Sequence, residues 1–91
     1  MLDRVKLALR ITTDAFDEEL MGLISAGLMD LGLVGINPFS ISPGTTDELI
    51  ITAVITYVKI HFGEPADPDR LKKSYDEQKA QLITATGYGL E

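Results

Sequence analysis

The chain has 91 residues, a net charge of −6 and no cysteine, and 45% of its residues are hydrophobic. This length fits one small globular domain, and the lack of thiols excludes disulfide bonds and thiolate metal sites. The acidic balance argues against a general nucleic-acid-binding surface, because phosphate neutralisation needs clustered Lys and Arg side chains.

No segment has the pattern of a secretory signal or a membrane span. The N-terminus is charged and lacks a continuous apolar core. The longest apolar run, residues 49–62, is too short to span a bilayer and contains Lys59 and His61. The sequence therefore predicts a protein that is soluble and intracellular when it is made.

Two helices are predicted in the first third of the chain. The spacing of Leu2, Val5 and Leu9 predicts a helix over residues 2–9. The second helix is expected to begin after Thr13 or Asp14, either of which can cap it, and to run to about residue 34 before Gly35 stops it. Acidic residues in its first turns complement the helix dipole. Its apolar stripe consists of Phe16, Leu20, Leu23, Ile24, Gly27, Leu28 and Leu31.

A loop and a strongly apolar helix follow. Residues 35–46, with two prolines and two glycines, predict a loop. Thr45 and Glu48 fit a capping box that starts the third helix. Apolar residues cover about two-thirds of that helix, which predicts a central position in the fold. The loop is expected to be pinned to the core by Ile36, Phe39 and Ile41. The polar stripe of the third helix is Thr52, Thr56 and Lys59.

The last helix is predicted to cover the core with one edge only. Gly63 ends the third helix, Asp67 caps the fourth, and Pro68 takes its first position. Leu71, Tyr75 and Leu82 form its narrow apolar stripe, and it is expected to end near residue 85. Residues 86–91 are expected to be a flexible tail, of which residues 90–91 fit a vector remnant. The prediction is an all-α bundle of about four helices in a single domain, residues 1–91.

No group of residues supports catalysis. His61 is the single histidine, and with Glu64 it offers two ligands where zinc needs three or four. It falls within the apolar arc of its helix, which predicts a half-buried structural role. Neighbouring carboxylates in residues 17–19 point about 100° apart and do not share a site. The sequence therefore predicts no enzyme activity, no cofactor and no metal.

Two patterns fit protein–protein contacts, although each also fits an isolated protomer. Gly22, Ala26, Met29 and Leu33 lie away from the main stripe of the second helix and permit close approach of another helix, either the fourth helix or a neighbouring subunit. Charge is the second pattern. Residues 14–35 contain five acidic residues and no basic one, whereas the N-terminal segment is basic. This asymmetry suits either a head-to-tail contact between copies or a solvated surface. The basic residues are Arg4, Lys6 and Arg10.

The chain resembles the head-tail connector proteins of tailed phages, the small adaptors that bind below the portal. The pattern begins with Val5-Lys6-x-x-Leu9-Arg10-Ile11, followed by residues 14–20 and 23–26. It continues with a helix over residues 50–59 containing Tyr57-Val58-Lys59, and a Pro-capped last helix with Tyr75 and Leu82. The resemblance covers about residues 4–88 and consists of apolar patterns with a few polar anchors. Gly27 departs from it, because family members often have a larger residue or alanine there.

The resemblance implies a structural virion protein of a bacteriophage or prophage. Its subunits would form a homo-oligomeric ring between the portal protein and the tail-completion or stopper protein. The ring would extend the channel used in DNA packaging, and DNA would pass without sequence-specific binding. The implied location is the head–tail junction of the virion, and the host cytoplasm during assembly, with no membrane. Assembly contacts are implied for the last helix and tail, from Leu71 through Tyr75 to Tyr88.

Other classes of small helical protein remain open. An acyl or peptidyl carrier protein needs a serine in an Asp-Ser-Leu motif, and the nearest stretch, residues 45–49, has none. A helix-turn-helix regulator needs a basic exposed helix, whereas acidic residues interrupt the basic residues of the fourth helix. An unrelated helical interaction adaptor is the remaining alternative.

Overall fold

Four α-helices make up the fold of the described residues, which in this computed structural model are residues 1–33, 45 and 47–84. They are α1 (Leu2–Leu9), α2 (Asp17–Leu33), α3 (Glu48–His61) and α4 (Pro68–Thr84). No strand occurs within those ranges, so the predicted all-α bundle is confirmed. Most of the predicted loop, including Gly35, Ile36, Phe39 and Ile41, and the predicted tail with Tyr88 lie outside the described residues.

The third helix is central, as predicted, since α3 packs against each of the other three helices. It supplies Ile50, Ala53, Val54 and Val58 to the core. One buried side chain of α1 and two of α4 meet it, whereas α2 contributes a whole face. The partners of α3 in the core are Val5 from α1, Leu20, Ile24, Leu28 and Leu31 from α2, and Tyr75 and Leu82 from α4.

The predicted polar stripe of α3 is only partly solvated. Thr52 is exposed, but Thr56 is buried, and its hydroxyl donates a hydrogen bond of 3.0 Å to the Thr52 carbonyl. A threonine hydroxyl can donate to a carbonyl of the preceding helical turn in this way, so a threonine can lie at the edge of a buried contact between helices.

Helix α2 begins later than its sequence suggests. The Thr13 hydroxyl accepts from the Ala15 amide at 3.2 Å, and the Asp14 carbonyl accepts from the Asp17 amide at 3.2 Å. These bonds form a separate turn before the helix, because threonine and aspartate side chains stabilise turns as readily as helix starts. The helix itself begins at Asp17 and places Phe16 edge-on to the Phe62 ring, with 5.5 Å between centroids.

The predicted capping box of α3 is wrong. The cap is Asp47, whose carboxylate accepts from the Leu49 amide at 2.9 Å and the Ile50 amide at 3.4 Å. The Thr45 hydroxyl accepts from the Asp47 amide instead, and the Glu48 side chain extends to Arg4. Asp47 competes successfully because it directly precedes the helix and has the short acceptor that a cap requires.

The start of α4 agrees with the sequence. Asp67 accepts from the Arg70 amide at 3.2 Å, and Pro68 is the first helical residue. Gly63, in the connection from α3, has a φ of 66°, a left-handed conformation that favours glycine. The helix ends at Thr84, next to its predicted end.

The contact between α2 and α3 depends on Gly27. A Cβ atom added to Gly27 would lie 3.1 Å from Cδ1 of Tyr57, closer than ordinary van der Waals contact. The departure from the connector pattern at residue 27 therefore permits the Tyr57 ring to pack directly on the α2 backbone.

Candidate functional site

From Gly22 to Leu33, the outer face of α2 is exposed and nearly uncharged. Met29 is 70% exposed and Leu33 is 85% exposed, Gly22 is exposed, and Ala26 is partly buried. Met29 and Leu33 are exposed although α4 also reaches α2 through Tyr75, so no helix in the described part of the chain covers this end of the predicted contact row. Asp30 is the single charged residue between residues 20 and 33, and it turns towards α4. Solvent-facing helix surfaces usually carry charges, so this face has the composition of a contact surface.

An apolar hollow adjoins the outer face of α2. It has a volume of about 270 Å³ and lies between the start of α1 and α2. Met21, which is 55% exposed, forms part of its wall. The remaining lining residues are Met1, Leu2, Ile24 and Ser25.

Arg4 is paired within the chain. Its guanidinium donates two hydrogen bonds to the Glu48 carboxylate, at 3.0 and 2.8 Å. The hydrogen bonds from Arg4 lower the pKa of Glu48 and the same pair raises the pKa of Arg4. This parallel pairing of a guanidinium with a carboxylate joins α1 to the start of α3.

Lys6 is also paired within the chain. Its ammonium lies 2.7 Å from the Asp17 carboxylate and 3.2 Å from that of Asp14. The close contact with the Asp17 carboxylate is the largest cause of a raised pKa for Lys6. Together with Arg4, Lys6 therefore joins elements of one protomer, and of the basic N-terminal residues only Arg10 has no carboxylate partner among the described residues.

A second surface, which the sequence did not predict, lies where the end of α1, the end of α3 and the start of α4 meet. Two adjoining hollows of about 450 and 350 Å³ share Lys59, Ala66 and Leu71. Arg70 lines the first hollow and Arg10 the second. We call this surface the basic groove. It brings together a predicted contact residue, Leu71, with cations from three helical regions that are distant in the sequence, so no local pattern could reveal it.

Tyr75, another predicted contact residue, lies in the core and is 5% exposed. Its hydroxyl donates a hydrogen bond of 2.6 Å to Asp30, whose carboxylate also lies 3.3 Å from the Lys79 ammonium. Burial, followed by the hydrogen bond to the Asp30 carboxylate, raises the pKa of Tyr75. Tyr75 therefore joins α4 to α2 within one protomer.

His61 is exposed, so the predicted half-buried position is wrong. Its ring stacks at a tilt on Tyr57 one turn earlier, with 4.3 Å between centroids, and lies on the solvent side of the last turn of α3. Among the described residues, no group of three or more His, Cys, Asp and Glu side chains is arranged to hold a metal ion. None of the helices in the described ranges is long and apolar enough to cross a lipid bilayer.

Comparison with known protein families identifies the family of the chain. The family described as "Phage connector protein" matches residues 1–89. The chain belongs to the phage connector protein family. The match includes α1 to α4 and confirms the resemblance found in the sequence. Connector proteins are structural components of the phage particle and contact other phage structural proteins. No curated protein and no solved structure matches the chain.

Proposed function

We propose that this connector protein is a head-tail adaptor subunit. It forms a homo-oligomeric ring between the portal protein and the tail-completion or stopper protein, and the ring extends the DNA channel at the head–tail junction. Assembly takes place in the host cytoplasm. The observation that carries this proposal is the family match over nearly the whole chain, residues 1–89.

The outer face of α2 supports a role in assembly. Each subunit of a closed ring needs two different contact surfaces, one for each neighbour. The row of Gly22, Ala26, Met29 and Leu33 offers small residues for close backbone approach and two exposed apolar side chains. We assign this row to a subunit contact, and the region from Leu71 to Tyr88 to contacts made during assembly.

The charge of the chain supports passage of DNA rather than binding. A net charge of −6 on each subunit repels the phosphate backbone. A basic channel wall would retain DNA through counterion release, whereas an acidic wall lets it slide.

The oligomeric state tests the proposal. We expect light scattering after size exclusion, over a concentration series, to show a large species that negative-stain images resolve as rings. Where the chain alone remains monomeric, the same measurement is made after coexpression with the portal protein of its phage. Absence of rings in both samples would overturn the proposal.

Variants of exposed apolar residues make the test specific. Met29→Asp should remove the large species without unfolding the protomer, since Met29 is 70% exposed. Leu7→Asp is the matched control, because Leu7 is 76% exposed on α1 and lies outside the row. Circular dichroism of both variants checks that they are folded.

A further inference from the structure

The basic groove is lined by three cations and two carboxylates, so it keeps a net positive charge of one. Arg10, Lys59 and Arg70 have no carboxylate within ion-pair distance among the described residues. By contrast, Arg4, Lys6 and Lys79 each have at least one carboxylate partner. In an acidic protein, a net positive charge across these two adjoining hollows is a local exception that attracts negative charge.

The groove is also partly apolar and partly acidic at its rim. Leu9, Phe62 and Leu71 contribute apolar surface to its walls. Glu64 and Asp67 line it as well, but the Asp67 carboxylate accepts a hydrogen bond from the backbone at the start of α4. A ligand that fits this groove combines carboxylates with apolar side chains.

The same chain presents such a surface on α2. Glu18 and Glu19 are exposed and have no cationic partner in the described ranges. Glu18 and Met29 are eleven residues apart, so at 100° per residue they lie about 20° apart on the helix circumference. The outer face of α2 therefore combines an acidic first turn with an apolar strip that ends at Leu33.

These two surfaces lie on opposite sides of the protomer. Gly27 of α2 faces Tyr57 of α3. Met29 follows Gly27 by two positions, and Lys59 follows Tyr57 by two positions. Two positions are about 200° around a helix. Met29 therefore points away from α3, and Lys59 points away from α2.

We infer that the outer face of α2 in one copy docks in the basic groove of a second copy. The inference rests on the proposed function and names the two surfaces that neighbouring subunits use. Complementary charges select the pairing, and the opposite placement of the surfaces makes the contact heterologous, so that it can continue from copy to copy into a ring.

A charge exchange tests the pairing. The groove-reversed variant carries Arg10→Glu and Arg70→Glu. The α2-reversed variant carries Glu18→Lys and Glu19→Lys on the outer face of α2. All four positions are exposed. Self-association at low salt, measured by sedimentation equilibrium, should weaken by about tenfold or more in either variant. Combining the four substitutions should restore it. The control is Leu7→Glu, which adds an acidic residue at an exposed position outside both surfaces and should associate like the original chain.

A cross-linking experiment gives an independent readout, because the chain has no cysteine. A protein with Glu18→Cys and Arg70→Cys should form a ladder of disulfide-linked dimers, trimers and larger species. Glu18→Cys with Leu7→Cys is the control and should yield no such ladder. A ladder that stops at the dimer would overturn the heterologous contact.

The outcomes separate this inference from the proposed function. Rings that persist in the groove-reversed variant would overturn the inference and leave the connector role intact. An original chain that shows no self-association at low salt, yet forms rings with the portal protein, would do the same. Loss of association in the reversed variants, with recovery on exchange, supports both.

Discussion

The Tyr75 hydroxyl donates a hydrogen bond of 2.6 Å to the Asp30 carboxylate and so links α4 to α2 on either side of α3. Lys79 extends the link, with its ammonium 3.3 Å from the same carboxylate and 4.8 Å from the centre of the Tyr75 ring. Helix α4 buries only Tyr75 and Leu82. This polar cluster is therefore a substantial part of what holds the last helix in place.

Removal of the Tyr75 hydroxyl should destabilise the fold. A hydrogen bond to a charged acceptor contributes about 1.5–3 kcal/mol, and Asp30 retains Lys79 in the variant, so we expect Tyr75→Phe to lower the free energy of unfolding by about 1–2 kcal/mol. Urea denaturation measures the loss. Tyr57→Phe is the control and should change stability little, because no hydrogen bond of its hydroxyl occurs among the described residues. Equal losses in both variants would contradict the role of Asp30.

Alkaline pH should weaken the fold through the same tyrosine. Burial and the Asp30 carboxylate raise the pKa of Tyr75 above its ordinary value of 10.0. The folded protein therefore keeps a proton that the unfolded chain releases, and stability falls as pH rises above about 10. Urea midpoints at about pH 8 and pH 11 should differ more in the original chain than in Tyr75→Phe. An identical pH dependence in the two proteins would refute this assignment.

Two glycines in α2 should respond in opposite ways to alanine. Nothing lies within 4 Å of a Cβ added to Gly22, so Gly22→Ala should raise the free energy of unfolding by about 0.5–1 kcal/mol through helix propensity. Gly27→Ala places a methyl group 3.1 Å from Tyr57, and overpacking of about 1–3 kcal/mol should cancel or exceed that gain. Thermal denaturation of the two variants, under conditions where both are monomeric, measures the difference. A stabilised Gly27→Ala variant would show that the Tyr57 ring moves aside freely.

The cap of α3 provides a further test. Asp47→Ala removes the acceptor for two first-turn amides and should cost about 1 kcal/mol. Thr45→Ala should cost less, because its hydroxyl accepts only the amide that precedes the helix. Urea denaturation distinguishes the two. A larger effect at Thr45 would favour the capping box that the sequence suggests.

The helices were predictable because their signals are local. Apolar spacing set α1 at residues 2–9, and the pair of Asp67 and Pro68 set the start of α4. The starts of α2 and α3 were harder, since several Thr and Asp side chains in each segment compete for the same amides. The sequence pattern alone could not decide that Asp47 rather than Thr45 caps α3, nor that Glu48 extends to Arg4.

The two proposed contact surfaces also differ in how far the sequence predicts them. The outer face of α2 follows from helical periodicity, because Gly22, Ala26, Met29 and Leu33 belong to one helix. The basic groove does not, because it forms only when the end of α1, the back of α3 and the start of α4 come together. For Arg4 and Lys6 the sequence suggested contacts between copies, but the structure shows ion pairs within a single protomer.

The contact of Gly27 with Tyr57 has a consequence for the shape of an assembly. If the outer face of α2 and the basic groove receive neighbouring subunits, the angle between successive subunits equals the angle between those two surfaces. That angle depends on how α2 rests on α3, where the buried Gly27 contacts Tyr57. The curvature of the ring, and with it the number of subunits that close it, would then be set by a packing detail in the core that no neighbouring subunit touches.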